Sequence, residues 1–217
     1  RFSRKNAKNE KVNNITVYRV GWGCKLDKYL LPILGFFKVR KLFRKNKYSL
    51  IWSINASQAG LAALFLKLKN PKIPFLLTLQ EGSSEKRIFS RRWIIWPLFK
   101  IIFKKADYIQ TISKFLANFG QKMGAKCPIE IVSNGVDIQK FKTQNAKGKT
   151  DLKKSLNIKK GEKVIITVSW LVSKNGVGDL IDAANILKKQ DVNFKLLILG
   201  TGYLEKKLEL QVARYKL

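Results

Sequence analysis

Strands alternating with helices along the chain predict an α/β protein built on parallel, doubly wound sheets. Three observations carry that prediction. Short apolar runs such as Phe75–Leu79 (FLLTL), Val164–Val168 (VIITV) and Lys195–Leu199 (KLLIL) read as strands covered on both faces, which are continuous rather than alternating. Helix-length segments separate successive runs, as parallel pairing requires a crossover. The alternation stops once, at residues 143–150 (TQNAKGKT), which carry no periodicity and read as a linker, and then resumes. Two α/β units are therefore expected, 1–142 and 151–217, the second with too few strands for an independent sheet.

Taken in order, Arg1–Asn14 is polar and basic and reads as a loop or frayed end. Ile15–Val20 (ITVYRV) is β-rich and is closed by Gly21, Trp22 and Gly23, a strand and turn. Apolar residues at helical spacing from Leu26 to Lys47, among Lys38, Arg40, Arg44 and Lys45, predict a basic amphipathic helix, with Pro32 and Gly35 as candidate breaks. Leu50–Ile54 reads as a buried strand, and Gln58–Lys69 as a helix stopped by Asn70–Pro71. After strand Phe75–Leu79, residues 86–105 read as helical, with Pro97 starting or kinking a segment. Tyr108–Ile112 is a strand, Ser113 an N-cap, Lys114–Lys122 a helix, and Ile129–Val132 a strand ending in Ser133–Asn134–Gly135. Beyond the linker come strand Val164–Val168, helix Val177–Lys189, strand Lys195–Leu199 and helix Leu204–Tyr215.

Composition narrows the chemistry. The 217 residues carry 44 Lys+Arg against 14 Asp+Glu, a formal charge of +30. That excess favours anionic partners: nucleic acid, a lipid surface or phosphorylated ligands. The lysines are scattered through every segment, so a general compositional bias accounts for a share of it. Histidine is absent, which excludes His bases, His-ligated metals and Ser–His or Cys–His pairs within the chain. Cys24 and Cys127 lie far apart in no metal-like spacing, and no secretory signal pattern opens the chain, so a reducing cytoplasmic setting is favoured. No apolar run reaches the roughly 18 residues of a spanning helix.

Three stretches carry a family resemblance. Ala106–Ser113 (ADYIQTIS) is similar to an "AD-apolar-apolar-x-x-S" strand and turn, and Ser133–Phe141 (SNGVDIQKF) to an "NGVD…F" segment. Val168–Ala184 (VSWLVSKNGVGDLIDAA) with Leu199–Leu208 (LGTGYLEKKL) looks like the strand, loop, helix and "GxG…L" turn of a donor-binding domain. Together they resemble glycosyltransferase family 4, whose members have two facing Rossmann-like domains, the GT-B architecture. Each stretch also has a plainer reading. Asn134–Gly135 alone is a turn signal, since both residues tolerate positive φ. Gly200–Thr201–Gly202 is half a dinucleotide fingerprint, with Glu205 in place of the third glycine, and a strand–glycine–helix turn is commonly just packing.

The resemblance implies a retaining transfer of a sugar, of the hexosyl type, from a nucleotide-sugar donor to an acceptor, without a metal or other cofactor. The leaving diphosphate gathers negative charge, which helix N-termini and a cation stabilise. The loop Ser169–Gly176 is then expected at the diphosphate, where the family pattern is "GRL…KG". This sequence departs from it: Trp170 stands at the Arg position and Asn175 at the Lys position, with Lys174 one place earlier. Lys174 is expected to take over the phosphate contact, whereas Trp170 stacks on a base or sugar or packs inward. Donor-binding candidates are therefore Trp170, Lys174, Asn175, Gly176, Gly200, Gly202, Asn134 and Gly135. A second departure places Gln80 where the family has a His near the transferred sugar; Gln80 bonds a hydroxyl, and Glu81 acts as an acid or caps the next turn. The resemblance further implies a first domain lacking its first strand and Gly-rich loop, and a truncated second domain whose paired glutamates lie beyond Leu217. On that basis this chain alone is not expected to turn over substrate.

One segment stands apart. Arg91–Asp107 (RRWIIWPLFKIIFKKAD) holds an apolar run flanked by Arg91, Arg92, Lys104 and Lys105. It reads either as a core helix or as an in-plane membrane attachment, with Trp93 and Trp96 at the interface and the cations near lipid phosphates. Members that act on lipid-linked acceptors dock in this manner, so the resemblance and the charge agree on a peripheral enzyme at the cytoplasmic face of the membrane. A basic nucleic-acid-binding protein is the rival from a different class. Against it, the charge is not gathered into an arm or a helix-turn-helix. An inactive relative that binds a nucleotide sugar is the other, supported by Trp170 and Gln80.

Overall fold

The computed structural model describes residues 7–24, 26–80, 96–141 and 152–217. Two compact units divide the chain, Arg1–Val136 and Asp137–Leu217.

The first unit opens with a hairpin whose first strand lies where a loop was expected and whose second falls within the expected strand Ile15–Val20. Strand β1 (Asn9–Val12) pairs antiparallel with β2 (Ile15–Tyr18), in a two-stranded sheet apart from the parallel one. Asn13, at φ 52°, takes the left-handed turn conformation that Asn tolerates better than most residues. Arg19 donates to Glu10 at 2.6 Å and pins the hairpin's open end. Helix α1 (Asp27–Lys45) follows without the expected break. Pro32 removes one backbone donor but is buried, and Gly35 faces α2 so closely that a Cβ there would lie 3.1 Å from that of Ala62. Both residues are therefore tolerated inside the helix because they serve its packing.

The parallel sheet has the order β3-β4-β5-β6, with β3 (Ile51–Ile54), β4 (Phe75–Leu79), β5 (Tyr108–Thr111) and β6 (Ile129–Ile131). Helices α2 (Gln58–Lys69), α3 (Trp96–Lys105) and α4 (Lys114–Lys122) supply the crossovers. Ser113 caps α4, its hydroxyl accepting the Leu116 N–H at 3.3 Å. Phe75, Leu77 and Ile109 on the sheet meet Leu64, Ile102 and Phe103 on the helices, all at most 1% exposed. Burial of such side chains contributes roughly 1.5–3 kcal/mol each.

The strands are less fully covered than their apolar runs imply. In β3 the buried residues Ile51 and Ser53 alternate with Trp52 and Ile54, which are 61% and 55% exposed. On that second face a row of polar contacts crosses the sheet: Trp52 Nε1 donates to Thr78 Oγ1 at 2.9 Å, and Thr78 Oγ1 to Gln110 Oε1 at 3.1 Å. The Tyr108 hydroxyl donates to Glu130 beside it.

In the second unit, β7 (Lys163–Val168) pairs in parallel with β8 (Phe194–Leu199), with Ile166 opposite Leu197. Helices α5 (Val177–Lys189) and α6 (Glu205–Tyr215) close one side, where Leu171, Val177, Ile181 and Leu208 form a small core. Val164, Ile166 and Val168 are exposed on the other side, again an alternation in place of the double coverage expected. Among the described residues no helix is long and apolar enough to cross a membrane.

Candidate functional site

In each unit the candidate residues gather where the parallel strands end, the edge at which α/β sheets place their ligands.

In the first unit, Gln80 follows β4 directly and is exposed. Its backbone N–H donates to Asn55 Oδ1 at 2.7 Å. Asn55 ends β3 at φ 63°, and its own N–H donates to the Thr78 carbonyl at 2.7 Å. Asn55 therefore ties the tips of β3 and β4 together and fixes where the chain leaves the sheet at Gln80. Sequence reading missed it, although an Asn closing an apolar run is a known site of positive φ. Glu81, Arg91, Arg92 and Trp93 lie outside the described residues. Asn134 and Gly135 are exposed after β6, in a segment that forms no regular element. Gly135 does not take a positive φ, and a Cβ on it would meet nothing within 4 Å, so the tight turn expected there is not formed.

In the second unit two loops lie against each other. Ser169 N–H donates to the Leu199 carbonyl at 3.0 Å, Leu171 N–H to that of Thr201 at 2.9 Å, and Leu204 N–H to that of Leu171 at 3.1 Å. This backbone approach explains both glycines of the GTG turn. A Cβ on Gly200 would fall 1.9 Å from the Ser169 oxygen, and one on Gly202 would fall 2.3 Å from the Leu171 oxygen. Beyond them, Ser173–Asn175 forms a single 3₁₀ turn, and Gly176, at φ 65° and ψ 22°, redirects the chain into α5. The first amides of α5 precede its first helical hydrogen bond, from Leu180 N–H to the Gly176 carbonyl.

Each loop residue has a definite place. Trp170 is 77% exposed and not packed inward. Asn175 does not point to a ligand with its amide nitrogen, which donates to the Trp170 carbonyl at 2.8 Å and braces the loop. Lys174 is exposed at the middle of the 3₁₀ turn. Tyr203, which sequence reading overlooked, joins the two loops: its hydroxyl accepts the Ser173 N–H at 3.2 Å and lies 3.0 Å from Ser173 Oγ. No local pattern announces that contact, because its partners are 30 residues apart. Ser169 Oγ, at the end of β7, is buried without a hydrogen-bond partner among the described residues.

The described part of the basic aromatic segment is a core helix. Trp96 packs against the main core, while Phe99, Ile102 and Phe103 are buried, leaving Lys104 and Lys105 outward.

Comparison with known proteins bears on the family and the fold. The family model described as Glycosyltransferase Family 4 matches residues 2–140, and one described as Glycosyl transferases group 1 matches residues 148–217. A protein of Escherichia coli (strain K12) named as colanic acid biosynthesis glycosyltransferase WcaL is 33% identical over 125 residues, covering 56% of this chain and 28% of that relative. Among solved structures, Anabaena HepE in complex with UDP and glucose superposes with a TM-score of 0.67 at 19% identity, covering 88% of this chain and 50% of HepE. Sucrose-phosphate synthase from Thermosynechococcus elongatus superposes at 0.72 and 16% identity, covering 99% of this chain and 56% of that one. The chain belongs to Glycosyltransferase Family 4 and has the α/β units of the GT-B fold. It spans between about a quarter and just over half of the length of these relatives.

Proposed function

We propose that the protein transfers a hexosyl group from a nucleotide-sugar donor to an acceptor, with retention at the anomeric carbon and without a metal. The supporting observation is the pair of interlocked loops, Ser169–Gly176 and Gly200–Tyr203, at the N-terminus of α5. In the reaction the bond from the anomeric carbon to the diphosphate oxygen breaks, and its electron pair leaves with the nucleoside diphosphate. The acceptor oxygen bonds to the same carbon, on the face the diphosphate leaves, and gives up its proton to the departing diphosphate oxygen. The amides opening α5 and the Lys174 ammonium meet the charge that grows on the diphosphate. Trp170 offers a face for a base or sugar ring, and Gln80 an amide for a sugar hydroxyl. Nucleotide-sugar binding by this family member is in keeping with the UDP and glucose held by HepE.

Calorimetric titration of the full chain with UDP and GDP tests the donor site. Binding of one of them, weakened about tenfold or more in Lys174→Met, is expected from the loss of one charged phosphate contact. Binding of neither, or equal binding by the variant, overturns the assignment of Lys174 and its loop.

Trp170 favours a second reading, a relative that binds the donor without transfer. An exposed Trp supplies no charge where the family carries an Arg, and Asn175 is committed to bracing the loop. Gain of transfer by Trp170→Arg in a chain with both complete domains, starting from an inactive parent, would support that reading.

We place the acceptor among lipid-linked molecules, and the protein at the cytoplasmic membrane surface, on the strength of the +30 charge.

A further inference from the structure

Lys174 sits on the single 3₁₀ turn Ser173–Asn175, and that turn is held at both ends. After Lys174, Asn175 Nδ2 donates to the Trp170 carbonyl at 2.8 Å, an oxygen that also accepts the Val172 N–H at 2.9 Å. Before it, the Ser173 N–H donates to the Tyr203 hydroxyl at 3.2 Å, and the Ser173 hydroxyl lies 3.0 Å from the same oxygen.

The anchor at Tyr203 is itself firmly mounted. Its neighbours on both sides are set against Leu171. Leu204 N–H donates to the Leu171 carbonyl at 3.1 Å, and a Cβ on Gly202 would fall 2.3 Å from that same oxygen. Burial does not account for the ring. Tyr203 is 74% exposed, while Leu204 beside it packs against the small core. Its hydroxyl therefore contributes geometry to the loop opposite more than stability to the fold.

The cation on that loop depends on such geometry. An Arg fork meets a phosphate in a fixed bidentate arrangement, whereas a Lys ammonium is a point charge on a flexible four-carbon stem. Its reach is set by the backbone beneath it. Lys174 is the one cation of the loop Ser169–Gly176, where Trp170 supplies no charge.

We propose that Tyr203 is a positioning residue for the donor diphosphate. Its hydroxyl fixes the Ser173 end of the 3₁₀ turn and so sets the point from which Lys174 reaches the phosphates. Tyr203 acts through Lys174 and does not itself touch the nucleotide. The proposal rests on the donor-site reading above, and on the role of Lys174 in particular.

A double-mutant cycle on the full chain, followed by calorimetric titration with UDP and GDP, tests it. Tyr203→Phe keeps the ring and removes the hydroxyl. It should weaken binding of whichever nucleotide the wild type takes by about fivefold, with the melting temperature of the unliganded protein nearly unchanged. Ser173→Ala should weaken binding by only about twofold, because its N–H still donates to Tyr203. In a Lys174→Met background neither change should have a further effect, since no ammonium is left to place. A purely structural role would not produce that loss of effect.

Undiminished binding by Tyr203→Phe overturns the proposal. An equal loss in both backgrounds overturns it too, and would make Tyr203 a direct contact or a general support. If Tyr203→Phe folds poorly, Ser173→Ala decides by the same coupling to Lys174→Met, and independence of the two overturns the proposal. Weakening by Lys174→Met alone removes the role of Tyr203 and leaves the donor-site reading standing. Binding of neither nucleotide by the wild type, or wild-type affinity in Lys174→Met, overturns both.

Discussion

Lys67 on α2 reaches Asp107, at the start of β5, with a separation of 2.6 Å across 40 residues of sequence. The ammonium also donates to the carbonyls of Pro71 and Ile73, each at 2.9 Å. Asp107 in turn accepts the Phe75 N–H at 2.7 Å, and its own N–H donates to the Phe75 carbonyl at 2.9 Å. One cation and one carboxylate thus hold the turn after α2 and the near ends of two strands. The Ala–Asp pair that carries part of the family resemblance has here a structural explanation.

Lys67→Met should keep the buried stem while orphaning two carbonyls and leaving the carboxylate with the Phe75 N–H as its remaining donor. A loss of about 2–3 kcal/mol is expected, since the side chain is only 9% exposed. Asp107→Asn should cost less, because that side chain is 48% exposed and the amide oxygen still accepts from Phe75. Urea denaturation would separate the two, and an equal loss would show that the charge pair, not the hydrogen bonding, dominates.

Asp27 gives the structure an acid-sensitive point. Amides of Trp22, Gly23 and Cys24 hold its carboxyl down from the ordinary 3.8 to about 2. A depressed folded value stabilises the fold above the unfolded value and is lost as pH falls through the interval from about 4 to 2. Asp27→Asn should therefore be less stable at neutral pH and lose less on acidification across that interval. Thermal melts of both proteins at a series of pH values would check it, and parallel curves would sink the assignment.

Gly202→Ala and Gly178→Ala form a discriminating pair. At Gly202 the added methyl meets the Leu171 backbone at 2.3–2.8 Å, so the loops must part or the second unit destabilises severely. At Gly178, inside α5, the nearest atom is the Gln211 side-chain oxygen at 3.5 Å, and the helix should gain up to about 1 kcal/mol. Melting temperatures moving in opposite directions are the expected result.

The two free cysteines should react unequally. Cys24 is exposed, whereas burial raises the thiol of Cys127 above its ordinary value. Timed labelling with a maleimide should modify Cys24 first, and a faster Cys127 would contradict its placement.

Wherever hydrophobic period and stop signals were unambiguous, the chain could be read directly. Helices 58–69, 114–122 and 177–189 and strand 75–79 fall where the pattern put them. Strand β1 escaped notice because, exposed along its whole length, it has no apolar face to declare it, whereas β2 falls within the expected strand Ile15–Val20. Continuity of α1 through Pro32 and Gly35 depends on a contact with Ala62 that local propensity does not contain. The same holds at the site. Family motifs marked Lys174, Gly200 and Gly202, but Asn55 and Tyr203 matter through partners 25 and 30 residues away. Only the fold brings those partners together.

The interlocking of Ser169–Leu171 with Gly200–Gly202 makes the two loops one inherited part. A length change or side chain introduced in either would be transmitted to the other, because a Cβ added at Gly200 or Gly202 would fall 1.9 or 2.3 Å from the facing backbone oxygen. Recombination between relatives should therefore succeed when both segments come from one parent and fail when they are drawn from different ones. An engineer wishing to alter donor choice would need to transplant them as a matched cassette.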